Sequence, residues 1–281
     1  LGLLGRSRTV LLNKIREPFG IVLITGPTGS GKSTTLYAFL QILNQEERNI
    51  VTLEDPVEYF IDGVNQSQIR PEIRYTFSAG LRSILRQDPN IIMVGEIRDN
   101  ETAELAIHAA LTGHLVLSTL HTNDAIGSVP RLVDMGVESF LLASSLQSVA
   151  AQRLVRKICE KCKTEMKITD LQRNRLAQMY QEIPLAEKKA YNLKDNQEIK
   201  VFKGEGCDDC GRTGHKGRIG IYEVFEITDP VKSIITDHNA NEHELRKESL
   251  GQGMISMKED GILKVLLGLT TLAEVERATE G

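Results

Sequence analysis

Tryptophan is absent from the 281 residues, and aromatic side chains make up only 5% of them. That leaves little with which to stack the bases of a single-stranded nucleic acid. No apolar run approaches the roughly 18 residues that a membrane-spanning helix requires; the longest are pieces such as Ile21 to Ile24 and Ile91 to Val94. Neither sign of charge dominates: 34 Lys and Arg stand against 38 Asp and Glu, a formal net charge of −4, which argues against a nonspecific polyanion binder. Internal repeats and low-complexity tracts are lacking. With 41% hydrophobic and 26% charged residues, the composition is that of a folded chain long enough for one large domain or two small ones. A signal peptide is lacking too, and Leu1 rather than Met opens the chain, so it reads as a portion of a longer protein.

Cysteine is scarce but not scattered. All four residues fall into two pairs, Cys159-Glu160-Lys161-Cys162 and Cys207-Asp208-Asp209-Cys210. A C-x-x-C turn presents two thiolates from one knuckle, and two knuckles complete the closed tetrahedral S₄ set that structural zinc prefers. The alternatives are two disulfides or four unrelated thiols; without a sign of export, disulfides are disfavoured. A redox motif would need only one pair, set between a strand and a helix. The expected role is a fold clamp with no open coordination position. The long stretch between the knuckles must carry structure of its own, and the spacing of Leu171, Leu176 and Met179 predicts a helix from Asp170 to Met179.

The strongest signal lies at Gly20 to Leu43. An apolar strand, Gly20 to Thr25, leads into Gly26-Pro27-Thr28-Gly29-Ser30-Gly31-Lys32-Ser33 and then a helical run from Thr34 to Leu43. Strand, glycine loop and helix in this order form the P-loop. Its glycines let backbone N–H groups turn inward around an anion, Lys32 reaches the β and γ phosphates, and the Ser33 hydroxyl can ligate Mg²⁺. Three more strands are predicted at Asn49 to Leu53, Ile91 to Val94 and Leu115 to Leu120, with helical crossovers at Thr76 to Arg86 and Glu101 to Thr112. In a parallel α/β sheet, strand ends converge on one edge, so Glu54, Glu58, Glu96 and His121 are expected around the phosphates.

Glu96 follows its apolar strand as a Walker B carboxylate does and could orient the water shell of Mg²⁺. Gly95 stands where the usual Walker B Asp would be, which shifts metal work to Ser33, Glu96 and water. Glu58 or Glu54 could position the attacking water. The plainer reading of each carboxylate is a helix cap or a solvated group. His121 is read as a γ-phosphate sensor, with His114 weaker because a histidine at a strand end is often structural.

These residues resemble a family. The P-loop, Thr52-Leu53-Glu54-Asp55-Pro56-Val57-Glu58-Tyr59, the run Leu85 to Asp99 and the run Thr112 to Asn123 are similar, in order, to the Walker A, Asp box, Walker B and His box of secretion ATPases, in the type II secretion and type IV pilus assembly branch. The resemblance covers essentially the whole chain as that family's C-terminal motor domain. Pilus retraction ATPases share the boxes but lack the paired cysteines. The resemblance implies a RecA-like P-loop core, ATP hydrolysis with Mg²⁺, structural Zn²⁺ on Cys159, Cys162, Cys207 and Cys210, and a homo-hexamer in the full-length protein. It also implies a cytoplasmic motor peripheral to the inner membrane, acting on a polytopic platform protein and other secretion or pilus machinery, with no nucleic acid. Carried over by position, ATP would rest on residues 26–34, with Pro27, Thr28, Ser30 and Thr34 completing the loop. Glu58 becomes the catalytic carboxylate of the Asp box, Glu96 the Walker B glutamate, and His114 and His121 the His box pair. Asn90 stands where the family usually has Asp. The preceding domain, which supplies arginines in trans, is missing from these residues.

The expected organisation is an α/β core over residues 1–151, a tetracysteine insert over 152–215 and a mostly helical part over 216–281. The last opens with a return strand from Gly217 to Val224, followed by helices at Asp229 to Asp237, Asn241 to Leu250, Ser256 to Leu267 and Thr271 to Thr279. Arg153 and Arg156 are read as touching phosphate or solvating a helix end. Two other classes compete with the secretion motor: a RecA-like nucleic-acid translocase or helicase, and a nucleotide-binding regulatory module without turnover.

Overall fold

The computed structural model describes residues 1–237 and 240–280; the last residue of the expected helical part, Gly281, lies outside them. In chain order the elements are α1 (Gly5–Lys14), β1 (Gly20–Thr25), α2 (Lys32–Leu43), β2 (Ile50–Glu54), β3 (Asn65–Gln68), α3 (Phe77–Ile84), β4 (Ile91–Val94), α4 (Asn100–Leu111), β5 (Leu115–Leu120), α5 (Ser128–Asp134), α6 (Ser139–Ser145) and β6 (Leu146–Ile158). There follow β7 (Lys163–Met166), α7 (Asp170–Glu182), α8 (Leu185–Ala190), β8 (Val201–Gly204), β9 (His215–Glu226), α9 (Asp229–Asp237), α10 (Glu242–Gly251), α11 (Met257–Leu266) and α12 (Leu272–Thr279).

Seven strands form one sheet in the order β3-β2-β4-β5-β1-β6-β9, parallel throughout except for the antiparallel β6–β9 pair. The short strands β1, β4 and β5 are buried along their whole length because helices cover both faces of the sheet. Alternation divides each strand between two cores. Ile21, Leu23, Ile92, Val94 and Val116 join the core covered by α3, α4, α5, α6 and α9. Val22, Ile24, Ile91, Met93 and Leu117 join the one covered by α1 and α2. Side-chain caps fix several helix starts: Asp99 accepts from Thr102 N–H at 2.8 Å, and Ser256 forms a reciprocal box with Glu259, each cap worth about 1 kcal/mol.

The edges of the expected units are crossed by continuous structure. β6 runs through residue 151, and β9 pairs along it from Ser148↔Glu226 to Ile158↔His215, so the return strand belongs to the core sheet. A third core joins Leu176, Tyr180, Tyr191 and Val201 to Ile262, Leu263, Val265 and Val275, packing α7, β8 and the residue after α8 against α11 and α12. Arg153 and Arg156 stand on β6 rather than at a helix end. Arg156 Nη2 is paired with Glu274 on α12 at 2.7 Å. Among the described residues no helix is long and apolar enough to cross a membrane.

Candidate active site

β1 delivers the chain at Thr25 into a loop whose glycines all have positive φ, 144° at Gly26, 78° at Gly29 and 89° at Gly31. A Cβ at Gly26 would lie 2.5 Å from the Gln152 carbonyl oxygen, and one at Gly31 would lie 2.8 Å from Gln152 Nε2. Glycine is therefore needed for conformation and for clearance from β6. Gln152, almost fully buried, ties the two ends of the loop together. Its Nε2 donates to the Ser30 carbonyl at 2.8 Å, and its Oε1 accepts from the Thr35 hydroxyl on α2 at 2.8 Å. Thr25 Oγ1 and Thr122 Oγ1, 2.7 Å apart, join the start of the loop to the segment after β5.

Lys32 opens α2 and donates from Nζ to the Gly26 and Pro27 carbonyls at 2.8 and 3.1 Å. Burial lowers its pKa, opposed by the nearby Glu96 carboxylate. Around it lies a cleft of about 580 Å³ lined by Thr28, Lys32, Ser33, Glu58, Glu96 and His121, with Arg98 and Arg218 at its walls. The parallel ladder of β2, β4, β5 and β1 brings most of these groups together, since Glu58, Glu96, His121 and the Lys32 loop each follow the C-terminal end of a strand, whereas Arg218 stands within β9.

The carboxylates differ in what holds them. Glu96 bonds Arg98 through one oxygen and His121 Nε2, at 3.2 Å, through the other. The hydroxyls of Ser118 and Thr119 on β5 hold the Val94 and Gly95 carbonyls at 2.7 Å each and thereby fix the turn that carries Glu96. A Cβ at Gly95, where the usual Walker B Asp would stand, would meet the Leu53 carbonyl oxygen at 3.1 Å, a tight contact. Glu54 is buried and accepts from Tyr37, from Thr52 Oγ1 at 2.5 Å and from Gln66 Nε2 at 3.0 Å. Glu58 is exposed on the loop that follows. His114 is the residue not brought in. It precedes β5, whose six residues separate it from His121 by about 20 Å of extended chain, and its Nδ1 lies 2.8 Å from the Ala109 carbonyl oxygen.

Sequence reasoning does not find Gln152, Tyr37 or Gln66. A single amide after the apolar Val149-Ala150-Ala151 approach is the available signal for Gln152. β3 reads Asn-Gln-Ser-Gln, without the apolar alternation by which strands are found.

The cysteines converge as well. Their four Sγ atoms lie within 4.8 Å of one another, with Cys159–Cys207 at 3.8 Å, Cys162–Cys210 at 3.9 Å and Cys207–Cys210 at 3.8 Å. These separations are too long for disulfides and match the edge, about 3.8 Å, of a tetrahedron with metal–sulfur arms of about 2.3 Å. Backbone N–H groups of Cys207 and Gly214 reach Cys210 Sγ at 3.2 and 3.3 Å and pull that thiol down to about 6, toward the thiolate a metal requires. Burial pushes Cys162 up to about 12 against the Gly206 N–H.

The model of the family described as Type II/IV secretion system protein matches residues 1–277. The chain belongs to that family. Type II secretion system protein E of Pseudomonas aeruginosa is 47% identical over 280 residues, which are 99% of this family member and 52% of the relative. The type IV pilus assembly ATPase PilB of Acinetobacter baylyi is 47% identical over 280 residues, 99% of the chain and 46% of PilB. This secretion-family chain thus spans about half the length of such relatives. Among solved structures it resembles the pilus retraction motor PilT with bound ADP, at a TM-score of 0.68 and 29% identity, covering 96% of this chain and 64% of that one.

Proposed function

We propose that the chain is the ATP-hydrolysing part of a motor that powers type II protein secretion or type IV pilus assembly. The observation that carries this reading is the convergence of Lys32, Ser33, Glu58, Glu96 and His121 on one cleft at the C-terminal edge of a parallel sheet. The loop amides of residues 26–34 and the Lys32 ammonium would cradle the phosphates, and the Ser33 hydroxyl with Glu96 would hold Mg²⁺ and its water shell. Bound Mg²⁺ would supply charge neutralisation at the transferring phosphate. Glu58, exposed and facing the cleft, would orient the attacking water, whereas the three donors on Glu54 suit it to anchoring. His121, already bonded to Glu96, is suited to sensing the γ-phosphate; the distance of His114 from the cleft leaves it a structural part.

Zinc on Cys159, Cys162, Cys207 and Cys210 would clamp the insert, and the expected division at residues 151 and 215 remains our description of core, insert and helical part. Homo-hexamer formation in the full-length protein, contact with a platform protein at the cytoplasmic face of the inner membrane, and the absence of a nucleic-acid partner belong to the same proposal. The names of the relatives support it over a nucleic-acid motor. The test is ATP turnover of the intact gene product. Lys32→Ala should abolish nucleotide binding or turnover, and Glu96→Gln should retain binding and lose turnover; unchanged turnover in Glu96→Gln removes that residue from the mechanism.

A further inference from the structure

We infer that Tyr37 and Gln66 are positioning residues that hold Glu58 over the phosphate loop, an inference resting on the reading of Glu58 as the group that orients water. Tyr37 lies one helical turn beyond Ser33 on α2, so it moves with the nucleotide loop. It is 1% exposed, yet its hydroxyl has two partners: it donates to the Glu54 carboxylate and accepts from the Glu58 backbone N–H at 3.2 Å. Its ring meets the Tyr59 ring edge-on, centroids 4.6 Å apart and planes at 79°. The residues on both sides of the Glu58 carbonyl are thus fastened to one side chain of α2.

Gln66 fastens the far side of the same loop. Its Nε2 donates to Glu54 Oε1 at 3.0 Å and to the Tyr59 carbonyl at 3.1 Å, while its Oε1 accepts from the Ile61 N–H at 2.7 Å. Glu54 is the common post, fixed from below by Thr52 Oγ1. The loop backbone is held at residues 58, 59 and 61, and the Glu58 side chain is left free. Within the polar edge strand β3, the Gln66 amide thus serves the loop rather than a core. The arrangement also makes the pose of Glu58 depend on the position of α2, and through α2 on the nucleotide loop.

The test uses Tyr37→Phe, which keeps the ring contact and removes the hydroxyl, and Gln66→Met, each in the intact gene product. Steady-state ATP turnover, affinity for a fluorescent ATP analogue and the unfolding midpoint are measured, alone and combined with Glu58→Ala. The expected result is a fall in kcat of about tenfold or more for either variant, since each removes the hydrogen bonds that fasten the loop, one of them to the Glu54 carboxylate, with analogue affinity changed less than about twofold. In the Glu58→Ala background neither variant should lower the residual turnover further, because the residue they position is gone. Wild-type kcat in both single variants overturns the inference, as does an undiminished further loss in the Glu58→Ala background. Wild-type turnover in Glu58→Ala alone instead overturns the reading of Glu58. Should Tyr37→Phe fail to fold, Gln66→Met on the sheet edge supports or overturns the inference by the same two measurements.

Discussion

Replacing Gln152 by Leu removes the amide that joins both ends of the phosphate loop while keeping roughly the same side-chain volume. The residue is 1% exposed, and both of its bonds are 2.8 Å long. The buried Ser30 carbonyl would then lose its side-chain donor, at a cost of about 1–3 kcal/mol. The Thr35 hydroxyl also neighbours the Tyr222 phenol, whose pKa it lowers against the larger upward push of burial, so its loss is partly absorbed. A net destabilisation of about 2 kcal/mol corresponds to a fall of about 4–8 °C in the unfolding midpoint at this chain size. The loop also loses the tie that sets its curvature, so ATP affinity should weaken about tenfold, equivalent to about 1.4 kcal/mol. Differential scanning calorimetry with and without ATP, together with equilibrium nucleotide binding, measures both. A normal midpoint would refute the packing argument. A lowered midpoint with unchanged ATP affinity would refute the claim that Gln152 shapes the loop.

Two further perturbations test parts of the molecule away from the cleft. At the proposed zinc site, stripping the metal with a chelator should abolish hydrogen-exchange protection around Cys159–Cys162 and Cys207–Gly214 and in β7 and β8; full retention of protection with the metal demonstrably gone would rule out the clamp. Glu274 links α12 to β6. Burial raises its pKa, but hydrogen bonds from the Arg156 and Arg277 guanidiniums and the Arg156 N–H outweigh it and hold the carboxyl at about 2. A folded-state pKa below the unfolded value gives stabilisation that is complete above pH 4.5 and is lost as pH falls from there toward 2. Glu274→Gln should therefore lower stability at neutral pH and flatten the decline over that range; an acid limb identical to wild type would contradict this.

What can be read from the linear chain is whatever is local or repeated along it. A strand buried between two helix layers is mostly apolar, as Ile21 to Ile24 are, so β1 is legible. The phosphate loop that follows needs glycines because its backbone has positive φ at three positions and passes within 2.5 Å of β6 where a Cβ would sit. Paired cysteines at C-x-x-C spacing announce a tetrahedral site for the same reason, since each knuckle is a local turn. The carboxylates at the ends of β2 and β4 follow from the parallel ladder.

Tertiary structure decided the rest, because the partners are far apart in sequence. Only the fold sets Gln152 beneath a loop at residues 26–31 and tells the buried Glu54 from the exposed Glu58. The same holds for β3, whose Gln66 braces a neighbouring loop. It holds also for β6 and β9, whose pairing runs through both expected unit boundaries. Composition and spacing record a residue's burial and its nearest neighbours along the chain. Which side chain across the sheet satisfies a given hydrogen bond is recorded only in the packing.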